Sequence, residues 1–257
     1  MEPGSLCLVL HAHLPFVRHP EHQDFLEEDW LFEAISETYL PLLDVCERLA
    51  EEGVPYRLTF SVTPTLAAML EDELLRDRYL RHIEKLIELS AREVERTRWT
   101  PEFHRLALRY HEIFVRCRVL FVEHHGRDLL GAFRRLAATG AVELVTSGAT
   151  HGFLPLMLGR RELWRAQIFT AVQEHRRHFG RGPEGIWLPE CGFDPGVDDV
   201  LRDAGLRYFF SDAHGILHAH PRPRFGVHAP ILTPNGVAAF GRDLESSRQV
   251  WCGWMGY

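Results

Sequence analysis

Five short apolar runs punctuate the chain, at positions 6–13, 57–62, 142–145, 185–188 and 208–211, and each closes on polar or small residues. Apolar runs of this length bounded by turn formers fit buried strands. Among them, apolar residues return at helical spacing over 31–51 (Leu40, Leu43, Leu49), over 163–179, and over 196–204 just ahead of Gly205. Strand and helix alternate, which predicts an α/β fold with parallel strands and helical cover. The stretch 66–140 departs from this rhythm. Leu80, Ile83 and Ile87, then Tyr110, Ile113, Cys117 and Phe121, recur every three or four residues with a break at Trp99-Thr-Pro101. It reads as an all-helical insertion between strands 2 and 3, with its aromatic and histidine side chains at an internal helix interface. Residues 221–234, rich in proline and histidine, read as a long irregular loop, and 236–241 as one more short strand.

A barrel of parallel strands carries its chemistry at the carboxyl ends of those strands. In the run Gly185-Ile-Trp-Leu-Pro-Glu-Cys-Gly-Phe193, Pro189 cannot continue a central ladder, so the chain turns and Glu190 faces a cleft. Taken alone, it could equally be a solvated carboxylate. His11 and His13 sit two apart at the end of the first run, and a period of two puts both on one face. His151 follows the third run and Asp212 the fifth. Two chemistries suit such a mouth. A carboxylate can attack a sugar's anomeric carbon while imidazoles and aromatics hold hydroxyls, or the histidines and Asp212 can bind a metal that activates water. Trp30, Trp187, Trp251 and Trp254 offer flat faces for sugar rings, although Trp187, inside a strand, serves a core equally well.

Composition narrows the field. With 29 basic against 36 acidic residues and a net charge of −7, no basic stripe suits nucleic acid and no polybasic run suits a membrane surface. The five cysteines are odd in number and widely spaced, with no CxxC pair, which favours neither a disulfide framework nor a zinc knuckle and fits a reducing cytoplasm. At 257 residues the chain has the length of one barrel-sized domain.

Four ordered segments carry a more specific signal: His11-Ala-His13-Leu-Pro15, Glu28-Asp-Trp30 through Tyr39, Glu143 through His151 to Pro155, and Trp187-Leu-Pro-Glu190-Cys-Gly-Phe193. Together they resemble glycoside hydrolase family 57, and most of all its 1,4-α-glucan branching enzymes. The resemblance implies an incomplete (β/α)7 barrel and a retaining mechanism on α-1,4-glucan of the glycogen or starch type, with no metal or organic cofactor. It matches Glu190 to the nucleophile and Cys191 to the residue after it. It also matches His11, His13 and His151 to the donor subsite and Trp30 to a nearby aromatic, and it lays the loop after Asp212 over the site. The family's acid/base aspartate would lie on a strand beyond position 257, followed by a helical carboxyl-terminal domain. The chain is therefore expected to be a partial barrel, inactive alone, with Asp212 orienting a sugar hydroxyl rather than donating the proton. Other readings stay open: an α-amylase or 4-α-glucanotransferase of the same family, a metal-dependent hydrolase built on the His11/His13 pair, or a chain that only binds glucan weakly.

Overall fold

The computed structural model of the chain describes residues 4–250 and 252–255. Seven strands, β1 (Val9–Ala12), β2 (Leu58–Val62), β3 (Val142–Ser147), β4 (Gly185–Trp187), β5 (Tyr208–Ser211), β6 (Ile231–Leu232) and β7 (Ala238–Gly241), form one sheet in the order β1-β2-β3-β4-β5-β7-β6. The pairs β1–β2, β3–β4, β4–β5 and β5–β7 are parallel. This is the strand and helix alternation of an α/β fold, as the pattern predicts. The first strand starts at Val9 rather than at position 6, because Leu6 and Leu8 are exposed.

The segment expected to be wholly irregular holds a strand after all. Pro230 and Pro234 bracket β6, which runs antiparallel to β7 with Ile231 opposite Ala239. Thr233 N–H donates to Val237 O at 2.9 Å, and Gly236, at φ +81°, makes the turn that most side chains would resist. The sheet is thus mostly, not entirely, parallel, and among the described residues its outer strand on this side is two residues long.

The chain divides into two compact units. The helical unit takes in positions 1–8, 14–58 and 66–143. In it α1 (Glu28–Ala34) passes through a π-helical turn (Ile35–Tyr39) into α2 (Leu40–Glu51). The chain returns through α3 (Pro64–Glu71), α4 (Glu73–Thr97), α5 (Pro101–Val119), a second π turn (Leu120–His124) and α6 (Leu129–Ala138). Only helices lie between β2 and β3. The break before α5 falls at Pro101, which occupies the first helical turn, where its missing N–H costs nothing. Ile83, Tyr79, Cys117 and Phe121 are buried, with Tyr79 edge-on to Phe121 at 4.6 Å. His104 and His111 reach across from α5 to the Val94 carbonyl and the Ser90 hydroxyl of α4, at 3.1 and 3.0 Å. Tyr110 and Phe103 do not join this interface; both are exposed, so the helical period overstated the apolar face of α5. No helix of the described residues is long and apolar enough to cross a membrane.

One buried ion pair secures the segment leading into α1. The Arg78 guanidinium on α4 donates to the Glu28 carboxylate at 2.7 Å and to the carbonyls of His19 and His22, while Glu28 also accepts the His19 N–H at 2.9 Å. Arg78 is 6% and Glu28 1% exposed.

The sheet unit takes in positions 9–13, 59–65 and 144–257. Its core forms where α7 (Arg161–Phe179) and α8 (Val197–Asp203) lay Trp164, Ile168, Val172, Val200 and Leu201 over Ile186, Leu188 and Phe209. After β5 comes α9 (Ala213–Leu217), and α10 (Leu244–Val250) follows β7. Gly180, at φ +75°, ends α7.

Arg78→Met would leave the Glu28 carboxylate buried and unpaired, a loss expected to cost about 3–5 kcal/mol. Urea denaturation reads it; a change below about 1 kcal/mol would mean that the pair is solvated and carries no such load.

Candidate functional site

Two strand ends of the sheet unit deliver imidazoles to one place, and a third delivers an indole. His11 is in β1 opposite Ser61, and His13 lies just past its end. His11 Nδ1 meets Ser61 Oγ at 3.1 Å and His13 Nδ1 meets Thr63 Oγ1 at 3.2 Å. His151, four residues after β3, stacks on His13 with ring centroids 3.6 Å apart and on His11 at 5.2 Å. The Trp187 ring, at the end of β4, stacks on His11 at 4.5 Å and 13°. It therefore contributes a face to the cluster as well as a strand position, and the sequence leaves that choice open.

One hydroxyl fixes the protonation of His151. Ser147 Oγ donates to Trp187 O at 2.7 Å, so towards His151 Nδ1, 3.0 Å away, it can only accept. Nδ1 then carries the proton and Nε2 is a bare acceptor. That atom is buried, has no hydrogen-bond partner among the described residues, and lies 3.7 Å from Glu190 Oε1. Two acceptors at that separation leave a place for a donor such as a substrate hydroxyl.

Glu190 itself sits in a 3-10 turn, Pro189–Cys191, directly past β4. Its side chain is 77% exposed. The backbone is left-handed at Glu190 (φ +51°), Cys191 (φ +55°) and His151 (φ +56°), a conformation that costs side-chain-bearing residues roughly 1–2 kcal/mol each. Gly192 is required beside this turn, because a Cβ there would lie 2.3 Å from the Phe153 ring. Cys191 is buried, which pushes its thiol up to about 11 and keeps it protonated at neutral pH.

Asp212 caps the end of β5, with Oδ1 3.6 Å from Arg242 Nη1 and Oδ2 3.6 Å from His214 Nδ1. Arg242 follows β7, places its guanidinium 5.6 Å from the centre of the Trp187 ring and lies 3.9 Å from Cys191 Sγ. Sequence reasoning missed it, although a lone cation directly after the Gly241 strand end was a usable signal. Trp30 lies on α1 of the helical unit and is 48% exposed. Trp254 is exposed, and Trp251 lies outside the described residues.

A metal centre on His11 and His13 would use their Nε2 atoms, since their Nδ1 atoms meet the Ser61 and Thr63 hydroxyls, but these gather no third ligand atom within 4.8 Å among the described residues. Among the described residues, the one trio of His, Cys, Asp or Glu with ligand atoms within 4.8 Å of one another lies elsewhere, at Glu47, His124 and His125.

A parallel sheet that ends in an exposed carboxylate, unprotonated imidazole nitrogens, an indole face and a guanidinium defines an α/β protein of the strand-end-site class, with groups that suit a polyhydroxylated ligand. The profile of Glycosyl hydrolase family 57 matches residues 7–250, and the chain belongs to that family. A 1,4-alpha-glucan branching enzyme of Thermococcus kodakarensis is 35% identical over 283 residues, covering 99% of this chain and 41% of that protein. The crystal structure of the alpha-amylase AmyC from Thermotoga maritima is 46% identical with a TM-score of 0.92, covering 99% of this chain and 48% of that one. That of a branching enzyme from Pyrococcus horikoshii is 34% identical with a TM-score of 0.86, over 98% and 49%. The chain thus spans about half the length of the relatives it matches.

Burial, reinforced by His151, His13 and Arg242, lowers the His11 pKa to about 3; burial also lowers His13 and His151 to about 4 each. All three are neutral at pH 7. Depressed histidine pKa values mean that the unfolded chain binds protons, below about pH 6.5, that the folded site refuses, so stability falls as pH drops from 6.5 towards 4. Thermal melts at pH 7.0 and 4.5 should show a smaller acid-induced drop in Tm for His11→Gln than for the parent. Equal drops would place the His11 imidazole in contact with water.

Proposed function

We propose that the chain carries the donor half of a retaining α-glucan-active site and that the parent activity is 1,4-α-glucan branching. The observation that carries this is Glu190, an exposed carboxylate held in a strained turn at a strand end, 3.7 Å from the bare Nε2 of His151. In the proposed reaction, a Glu190 carboxylate oxygen attacks C1 of a glucosyl unit and the α-1,4 oxygen leaves. The resulting glucosyl ester is then displaced by the 6-hydroxyl of an acceptor chain, which forms an α-1,6 branch.

His11, His13 and His151 hold sugar hydroxyls as neutral acceptors, Trp187 offers a ring face, and Arg242 orients Asp212. Asp212 positions a hydroxyl. A retaining mechanism needs a second carboxyl group about 5–5.5 Å from the nucleophile to protonate the leaving oxygen. No residue of this chain is assigned that role, so an unactivated glucan should not glycosylate Glu190 at an appreciable rate, whereas a donor whose leaving group needs no proton should. Proposed ligands are amylose-, starch- or glycogen-like glucans, with no cofactor.

Hydrolysis is the second reading, favoured by the 46% identity to an alpha-amylase. Water and a sugar hydroxyl compete for one intermediate, so Glu190 keeps its role in both.

A fluorinated α-glucosyl fluoride tests the nucleophile without an acid, because fluoride leaves without prior protonation. Incubated with it, the chain should gain the mass of one fluoroglucosyl group, mapped to the peptide bearing Glu190, and Glu190→Gln should gain none while still binding glucan. A label on any other residue would overturn the nucleophile assignment. On amylose, an enzyme built on this site should raise α-1,6 anomeric signals in proton NMR while reducing ends stay constant. A rise in reducing ends instead decides for the amylase reading.

A further inference from the structure

The helical unit holds a second chemistry-bearing cluster, unrelated to the strand ends. Glu47 projects from α2, and His124 and His125 lie where the π turn Leu120–His124 ends. His124 Nε2 is 2.8 Å and His125 Nε2 4.0 Å from the same atom, Glu47 Oε2, and all three ligand atoms lie within 4.8 Å of one another. Neighbouring residues on a regular helix point some 100° apart and cannot converge on one atom. Here the π turn alters that: His125 N–H reaches back five residues to Leu120 O at 2.9 Å, and the two imidazoles meet edge to face at 4.6 Å. Single π turns inside helices occur frequently at functional sites.

A second observation also points to a ligand. The His125 side chain is fully buried, and its Nε2 has no hydrogen-bond partner among the described residues although it faces Glu47. A buried ring nitrogen without a partner is costly unless something joins it to the carboxylate. We propose that Glu47, His124 and His125 bind a divalent transition metal of the Zn2+ class, with water in the fourth position. Two imidazoles and one carboxylate are a borderline-soft donor set suited to such an ion. Bonds of about 2.0–2.1 Å in a tetrahedron set donor atoms roughly 3.3 Å apart, so shifts of about 1 Å close the site. The ion would tie α2 to the chain between α5 and α6, a structural role.

Arg135 on α6 works against the ion in a definite way. Its guanidinium lies 3.2 Å from His125 Nδ1 and can only donate, which sets the ring proton on Nε2, where the metal must bind. Metal binding therefore requires the proton to move from Nε2 to Nδ1 and Arg135 to swing away. Arg135 is exposed and free to do so. Arg135→Gln replaces that donor with a carbonyl oxygen able to accept from Nδ1–H, the partner that metal-bound imidazoles normally have.

The test loads chelator-stripped protein with Zn2+, dialyses it and measures zinc per chain, with Co2+ absorption as a report on tetrahedral nitrogen and oxygen ligation. Wild type should retain one equivalent and melt at a higher temperature with zinc than without. Glu47→Gln, isosteric at a half-buried position, and His124→Ala, at an exposed one, should bind at least tenfold more weakly, and Arg135→Gln around tenfold more tightly. His11→Ala should leave the stoichiometry unchanged. Less than one equivalent in the wild type, unaltered binding by Glu47→Gln and His124→Ala, or weaker binding by Arg135→Gln would each overturn the assignment. The Arg135 arm separates a metal site from a merely structural cluster, since only metal ligation rewards a change of tautomer.

Discussion

The hydroxyl of Ser147 is the small group on which the candidate site turns. It has one proton, which it gives to the Trp187 carbonyl, and that bond joins the end of β3 to the end of β4. Having spent its proton there, the oxygen can only accept from His151, which fixes the imidazole's tautomer and leaves a bare nitrogen beside Glu190. Ring orientation and acceptor placement thus follow from a single buried oxygen. Ser61 repeats the logic one strand over, donating to Thr146 O at 3.5 Å and meeting His11 Nδ1 at 3.1 Å. Parallel strands make this possible because they bring their ends to the same side, where short side chains on one strand can serve rings on the next.

Strain and burial at the site oppose stability together. Three left-handed residues and three desolvated imidazoles occupy a small volume, and neither arrangement would persist on a loose scaffold. The scaffold beneath is tight: Ile186, Leu188, Val197, Val200 and Leu201 are fully excluded from water, and Gly148 and Gly192 let the two site loops approach the Pro189 and Phe153 rings. What the core gains in packing permits an unfavourable geometry at its rim.

Much of this was legible in the sequence, for reasons that can be named. Period two in a strand placed His11 and His13 on one face, and a proline at a strand end forecast the turn that exposes Glu190. Alternating strand and helix patterns gave the sheet, and the helical period gave the run from α4 to α6. What escaped was whatever depends on partners distant in sequence. Arg242 gains meaning only beside Asp212 and Trp187, on strands brought together by the fold. Strand β6 hides between two prolines because it needs only one neighbour, and two residues leave no periodicity to read. Tyr110 fits the helical stripe yet faces solvent, since periodicity reports a possible interface and not which partner fills it. Ser147 looks like any strand serine until its two bonds are seen.

The short strand β6 also limits what this margin of the sheet offers a neighbouring polypeptide. A long, flat, unsatisfied strand at a sheet margin is a template on which a neighbouring polypeptide can add itself, and repeated addition builds fibres. Here that margin offers two residues bracketed by rings that lack an amide hydrogen, too little for a foreign strand to grip. The same prolines that obscured the strand from sequence reading therefore act as a terminator at this margin of the sheet.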